Sequence, residues 1–315
     1  MSADGFQMRF NDTTPPLHVH RWLPDGAAPR AALLIVHGMA EHGGRYGRFA
    51  AAANAAGIAV HALDLPGHGL SAAAAERGHF ADHDGWALAL SAIHGLRLHI
   101  DSAYPGLPSF ALGHSMGSFL MQDYLVEFGG DRGKGLAGAV LSATSNTLGP
   151  LRAVGGLLMR AEALLLGPRH PSALAEALSF KAFNKAFEPA RTGFDWLSRD
   201  AAEVDAYIAD PSCGFRCSAR LWADLFAAGA GFGAPDRLAR VPADLPIRLI
   251  CGSADPVSQG EQGPTRLAAA YRAAGVREVS VRAWQDGRHE LLNDICRDEV
   301  TTDLLGWIEA HLASG

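Results

Sequence analysis

The sequence predicts an α/β protein, a doubly wound and mostly parallel sheet interrupted by one helical insertion. Three observations carry this. Short apolar runs alternate with helix-length segments from Ala31 to Leu141. Between about Asn146 and Gly229 the alternation stops and only helix-like segments appear. It resumes at Ile247 and runs to Leu312. Strands that read as unbroken apolar runs are covered on both faces, as parallel sheets require.

Taken in order, Gln7 to Arg21 holds two alternating segments broken by TTPP, a hairpin signal. Ala31 to Val36 (AALLIV) is a continuous apolar strand. Tyr46 to Ala56 reads as a helix closed by Gly57. Ile58 to Leu63 is the next strand and Trp86 to Tyr104 the next long helix. Ser109 to Leu112 is a strand running into Gly113, followed by a helix from Phe119 to Phe128 and a strand from Leu136 to Leu141. In the insertion, Leu151 to Leu166 and Leu174 to Phe187 are helical in pattern. Strands Ile247 to Cys251 and Val279 to Trp284 then alternate with helices Thr265 to Ala274 and Asp298 to Leu312. The division that follows is a core of residues 1–145 and 230–315, and a helical cap of residues 146–229 over the carboxyl ends of the strands.

Composition narrows the partners. Of 315 residues, 48% are apolar and 19% charged, enough for a buried core and unlike a disordered chain. A net charge of −6, with no run of lysines or arginines, argues against nucleic acid. MSADGFQMRF lacks the features of a signal peptide, and no apolar run reaches the roughly 20 residues of a bilayer span, so a soluble cytoplasmic protein is expected. Cys213, Cys217, Cys251 and Cys296 are expected to be reduced. Cys213 and Cys217 could share a helix face, but the sequence shows no His or Asp to complete a metal site beside them; neither metal nor cofactor is expected.

The chemistry starts at GHSMG. Strand, Gly113-His114-Ser115-Met116-Gly117, then helix is the layout of a nucleophile elbow, where a serine sits on a strained turn and a Cβ at either glycine would collide with neighbouring backbone. The alternative is a small residue in a tight turn. A serine nucleophile needs a base and an orienting acid. Asp255 follows strand IRLIC in GSADP, where it could instead only shape or cap the turn. His289, among 14 histidines, stands in the loop after the last strand, WQDGRHELL, while His61, His99 and His170 lie elsewhere. Asp286 is a rival acid, but its place three residues before His289 suits a turn-shaping role. Donors for an oxyanion are expected from the backbone N–H of Met116 and of Met39, in the loop VHGMAEHGGRY. Together these residues describe a serine esterase: His289 takes the Ser115 proton, Asp255 steadies the imidazolium, and water resolves an acyl-enzyme.

These stretches together resemble the α/β-hydrolase fold, and within it the monoglyceride lipase and lysophospholipase-like branch of the serine aminopeptidase S33-type hydrolases. HGMAEHGGRY is similar to that branch's oxyanion loop, DLPGHGLS (Asp64 to Ser71) to the segment after the next strand, GHSMGS to its elbow, and GSAD and GRHEL to its acid and histidine loops. The likeness runs from about Ala31 to His311 and is loosest in the cap. It implies eight strands, a cap inserted after strand six that shapes an acyl pocket, and a monoacylglycerol or lysophospholipid ester as substrate. It also places Glu41 and Arg45 near the substrate's alcohol, although a salt bridge that stiffens the loop fits them equally. Met39 stands where the family often has a small residue, and Ser118 where a third glycine is common.

Other readings remain open at this stage. The same acyl-enzyme would serve an acyltransferase, thioesterase or amidase, and a binding module could use the fold without catalysis. Pro150 to Pro168 carries an apolar face at Leu151, Val154, Leu157, Leu158, Ala161, Leu164 and Leu165, which either packs on the cap or contacts lipid aggregates or membrane. Oligomeric state is not legible.

Overall fold

The computed structural model describes residues 4–10, 14–26, 28–129, 135–149 and 152–312. Leu151 and the first threonine of TTPP, Thr13, lie outside them. Eight strands form one sheet: β1 (Asp4–Met8), β2 (Leu17–Trp22), β3 (Ala31–Val36), β4 (Ile58–Leu63), β5 (Ser109–His114), β6 (Gly138–Ser142), β7 (Ile247–Gly252) and β8 (Val279–Trp284). Their order is β1-β2-β4-β3-β5-β6-β7-β8. The hairpin strand β2 runs antiparallel to β1 and β4, and every pairing from β4 to β8 is parallel.

β3 shows why the central strands are apolar throughout. Ala32, Leu34 and Val36 belong to the core on one face, and Ala31, Leu33 and Ile35 to the core on the other. All six residues are at most 2% exposed, and each large side chain so buried contributes about 1.5–3 kcal/mol. Helices α1 (Gly47–Ala55) and α11 (Arg297–Leu312) cover the second face. The first is covered by α2 (Gly85–Ala103), α3 (Met116–Phe128) and α10 (Gln262–Ala273).

Between β6 and β7 the described residues form helices and turns: α4 (Arg152–Leu166), α5 (Ala173–Leu178), α6 (Phe180–Asn184), α7 (Ala201–Ala209), α8 (Ala219–Ala228) and α9 (Pro235–Leu238). α4 lies close on α8, since a Cβ at Gly155 or Gly156 would come within 3.2 Å of the Phe226 side chain. Met159 on that face is 1% exposed, whereas Leu157, Leu164 and Leu165 on the other are 69%, 85% and 79% exposed. The apolar face anticipated for this segment is thus the open one, exposed also at Val154, Leu158 and Ala161, and the side packed on α8 was not part of it. Elsewhere three helix expectations shift, one of them α10, which starts at Gln262, three residues before Thr265. The segment Leu174 to Phe187 is broken at Ser179, whose hydroxyl bonds the Ala175 carbonyl at 2.6 Å, a side-chain competitor that ends a helix. α3 starts at Met116, three residues before the point the sequence suggested. Among the described residues no helix is long and apolar enough to cross a membrane. All four cysteines are free.

Candidate active site

Ser115 occupies the turn from β5 to α3 with φ 52° and ψ −121°, a conformation that side-chain-bearing residues rarely adopt. The turn is over-determined by its bonds. The Ser115 N–H donates to the Ser142 carbonyl at 2.9 Å, and its own carbonyl accepts from the Ser118 N–H at 2.8 Å and hydroxyl at 2.6 Å. The flanking glycines are steric necessities. A Cβ on Gly113 would lie 2.5 Å from the Gly117 carbonyl oxygen, and one on Gly117 would strike the carbonyl oxygens of Val36 and His37 at the end of β3.

Past β7, the buried Asp255 carboxylate accepts the Val257 N–H at 3.0 Å, the Ser258 N–H at 3.3 Å and the His289 Nδ1–H at 2.9 Å. Turn-shaping bonds and a bond to His289 therefore coexist in one carboxylate. Burial pushes this carboxyl up, but the His289 ring and the bonds from His289, Ser258 and Val257 outweigh it and hold the group below the usual carboxylate range. Nδ1 is committed to Asp255, which leaves Nε2 for a reacting proton. The His289 ring lies 4.8 Å from that of His114, the neighbour of Ser115, and 4.7 Å from Trp196 of the segment between β6 and β7. Asp286 is exposed, accepts from Gln285 and donates its N–H to Ser253, as a turn residue would.

The loop after β3 approaches the same place. A Cβ on Gly38 would fall 3.2 Å from the Ser115 Cβ, so this backbone passes directly beside the serine. His37 anchors its start, with Nδ1 2.7 Å from the Gly38 carbonyl and Nε2 accepting the Leu65 N–H at 3.0 Å. Neither the Met39 nor the Met116 N–H donates a hydrogen bond among the described residues. Asp64 of DLPGHGLS braces the loop from behind, accepting the Gly43 N–H at 2.7 Å and the Leu70 N–H at 2.8 Å.

Glu41 and Arg45 are inward-facing and paired. Arg45 Nη1 donates to Glu41 Oε2 at 2.8 Å and to Glu290 Oε1 at 2.7 Å. Glu290 is a partner not anticipated from the sequence, although Arg45, four residues after Glu41, and the glutamate following His289 were both visible there. A second omission has no sequence signal. The Trp196 and Leu197 carbonyls accept the N–H groups of His289 at 3.4 Å and Glu290 at 2.8 Å, and Arg288 donates to the Asp195 carbonyl and, at 3.0 Å, to that of Ser198.

Two clusters of possible metal-ligating groups occur among the described residues. Cys213 and Cys217 share no ligand set, but the donor atoms of His42, Asp210 and Cys213 lie within 4.8 Å of one another, as do those of His20, His42 and Asp64. Their partners are internal. His42 Nε2 is 2.8 Å from Asp210, Asp64 is held by two amides and His20, and burial pushes the Cys213 thiol up, away from the thiolate a metal needs.

A family model described as Hydrolase_4, serine aminopeptidase, S33, matches residues 27–295. The chain belongs to this family of α/β-hydrolases. Within it the chain falls in the monoglyceride-lipase-like branch, being 30% identical over 297 residues, 92% of each chain, to the monoacylglycerol lipase of Mycolicibacterium smegmatis. The monoglyceride lipase of Homo sapiens is 30% identical over 200 residues, 60% of this chain and 54% of that one. Among solved structures, a thermostable carboxyl esterase from Bacillus coagulans in complex with glycerol matches with a TM-score of 0.89 at 26% identity, over 99% of both chains. The monoacylglycerol lipase of Paleococcus ferrophilus shares the fold at a TM-score of 0.70, 24% identity, over 94% of this chain and 99% of that one.

Proposed function

We propose that this hydrolase cleaves carboxylic esters carrying a lipid-like acyl chain, of monoacylglycerol or lysophospholipid type, with Ser115 as nucleophile, His289 as general base and Asp255 as its orienting acid. The observation that carries the reading is the pairing of a strained serine at the β5–α3 turn with a buried His289–Asp255 couple beside the ring of the preceding residue, His114. His289 Nε2 takes the Ser115 proton as Oγ attacks the ester carbonyl. The backbone N–H groups of Met39 and Met116 receive the developing oxyanion, a contribution of about 10²–10³ in rate per donor. The imidazolium returns its proton to the leaving alcohol, and a water activated by the same base releases the acid.

An acyl group suits the segment above the site, which we treat as a cap of residues 146–229 on a core of residues 1–145 and 230–315. A cavity of about 100 Å³ there is lined by Phe180, Phe194, Phe215 and Trp222, together with Glu176, Lys181 and Arg216. Phe180 and Trp196 rings lie 5.5 Å apart, which links that cavity to the His289 ring through one side chain. The exposed leucines of α4 support reversible contact with lipid aggregates or a membrane surface by a cytoplasmic enzyme. The names of the relatives, monoacylglycerol lipase and carboxyl esterase, support the same substrate class.

The test is an acyl-chain series of monoacylglycerols and lysophospholipids, with Ser115→Ala as control and a fluorophosphonate probe as label. Hydrolysis with labelling, both abolished in Ser115→Ala, is the expected result. Undiminished turnover by Ser115→Ala would overturn the reading, and a wild-type protein that neither labels nor hydrolyses would favour a binding module.

A further inference from the structure

Gly38 to Glu41, the loop beside Ser115, is gripped at three points, and all three grips lead to Arg45. The Gly38 N–H donates to Glu41 Oε1 at 2.5 Å, and the Tyr46 hydroxyl donates to the same oxygen at 3.1 Å. Glu41 Oε2 accepts from Arg45 Nη1 at 2.8 Å. Ala40 is held at φ 56°, and its carbonyl accepts the Tyr207 hydroxyl at 2.8 Å and the Gly214 N–H at 2.9 Å, both from the segment between β6 and β7. The Arg45 guanidinium lies over the Tyr207 ring at 4.9 Å. On its far side it forks onto Glu290, Nη1 to Oε1 and Nη2 to Oε2, each at 2.7 Å.

The side chains of Glu41, Arg45 and Glu290 are 4%, 11% and 7% exposed. Two carboxylates so placed repel each other, and the cation between them offsets that repulsion. Burial pushes the Glu41 carboxyl up, yet Arg45 and the neighbouring groups bring it down to about 2. Both carboxylates and both terminal guanidinium nitrogens already have protein partners, so the pairing is accounted for without a substrate hydroxyl.

We propose that Arg45 is a positioning residue, whose planar fork fixes the Gly38–Glu41 loop, and with it the Met39 N–H, relative to the His289–Glu290 loop and to Tyr207. The proposal rests on the reading of Ser115 as nucleophile and of Met39 as an oxyanion donor. It assigns Arg45 and Glu41 to the geometry of the transition state and not to the substrate's alcohol. Loss of the fork should then lower kcat equally for every ester of a given acyl chain, whatever the alcohol.

The experiment compares Arg45→Lys and Tyr207→Phe with wild type on a monoacylglycerol and a p-nitrophenyl ester of the same acyl chain, rates being taken per folded protein. Lysine keeps the charge but presents one compact ammonium nitrogen in place of the planar fork. Arg45→Lys should lose about 10- to 100-fold in kcat on both substrates with KM within about twofold, since small misplacements of preorganised groups carry that cost. Tyr207→Phe keeps the ring over Arg45 and removes one bond to Ala40, so it should lose kcat on both substrates by a smaller factor, about 3- to 10-fold. A KM increase confined to the monoacylglycerol would overturn the proposal in favour of alcohol binding. Wild-type kcat on both substrates with only a lower Tm would overturn it in favour of a scaffold role. If Arg45→Lys does not fold, Tyr207→Phe is judged by the same two readouts. Ser115→Ala separates the levels: if it stays active the underlying reading fails, and if it is inactive while both variants match wild type, this inference alone fails.

Discussion

His289 Nδ1 lies 2.9 Å from Asp255 Oδ1, with the two side chains 3% and 0% exposed. A charge-assisted bond in so dry a place fixes the tautomer of the ring and its orientation together. Asp255→Asn keeps the size of the side chain and an acceptor for the Val257 or Ser258 N–H, but no longer favours the Nδ1–H form. If the triad acts as proposed, kcat should fall by about 10⁴ while the circular dichroism spectrum is unchanged. Activity within tenfold of wild type would reject Asp255 as the acid.

At the serine turn the expected effect is on folding. A methyl group on Gly117 meets the carbonyl oxygens of Val36 and His37, which are main-chain atoms at the end of a central strand and cannot swing aside. Gly117→Ala should therefore cost about 3 kcal/mol or more, seen as a fall in the urea midpoint with an unchanged m-value. The neighbouring Ser118→Ala loses only the hydroxyl bond to the Ser115 carbonyl, and about 1 kcal/mol is expected. Equal midpoints for the two variants would contradict the steric account.

The buried histidines set the pH limit of stability. Burial pushes the His61 and His68 rings down to about 3 and His114 to about 4, with neighbouring rings adding to the effect. Each is then neutral in the folded chain while an unfolded histidine titrates near 6.5. Below that pH the unfolded chain binds protons the native one refuses, so stability is complete above about 6.5 and declines as pH falls toward 3–4. Thermal unfolding at pH 7.5 and 5 should show a lower Tm at pH 5, with an uptake of about three protons from these groups. His61→Leu should flatten the pH dependence by about one proton; an identical dependence in the variant would refute the assignment.

Much of this architecture is legible because its central strands are buried on both faces. AALLIV leaves no polar alternative, and the order Ser115, Asp255, His289 follows once the βα alternation is read. The exact start of α3 was hidden by Gly117, a poor helix former that is there for clearance and not for helicity. The segment between β6 and β7 was least legible, since α5, α6 and α9 are short and Ser179 separates two of them with a local hydroxyl bond. Its link to the histidine loop runs through the Trp196 and Leu197 carbonyls, and main-chain bonds leave no mark on residue type. Arg45 shows a different limit: its motif was visible, but its partner Glu290 is 245 residues away.

The open side of α4 yields the last prediction. Leu164 and Leu165 are 85% and 79% exposed, while Gly156 and Met159 of the same helix are packed inward. Apolar area left in water at about 25 cal/mol per Å² is a standing cost that a lipid surface would remove. Because these side chains are already solvated, Leu164→Ser with Leu165→Ser removes little packing and should leave Tm within about 2 °C. Sedimentation with phosphatidylcholine vesicles should weaken by at least about tenfold, since each leucine withdrawn from lipid forfeits about 1.5–3 kcal/mol at full burial and about 1.4 kcal/mol is a factor of ten. Turnover of monoacylglycerol presented in those vesicles should fall further than turnover of a short-chain p-nitrophenyl ester in solution. Equal vesicle binding by the variant and wild type would mean that this face packs against something other than lipid.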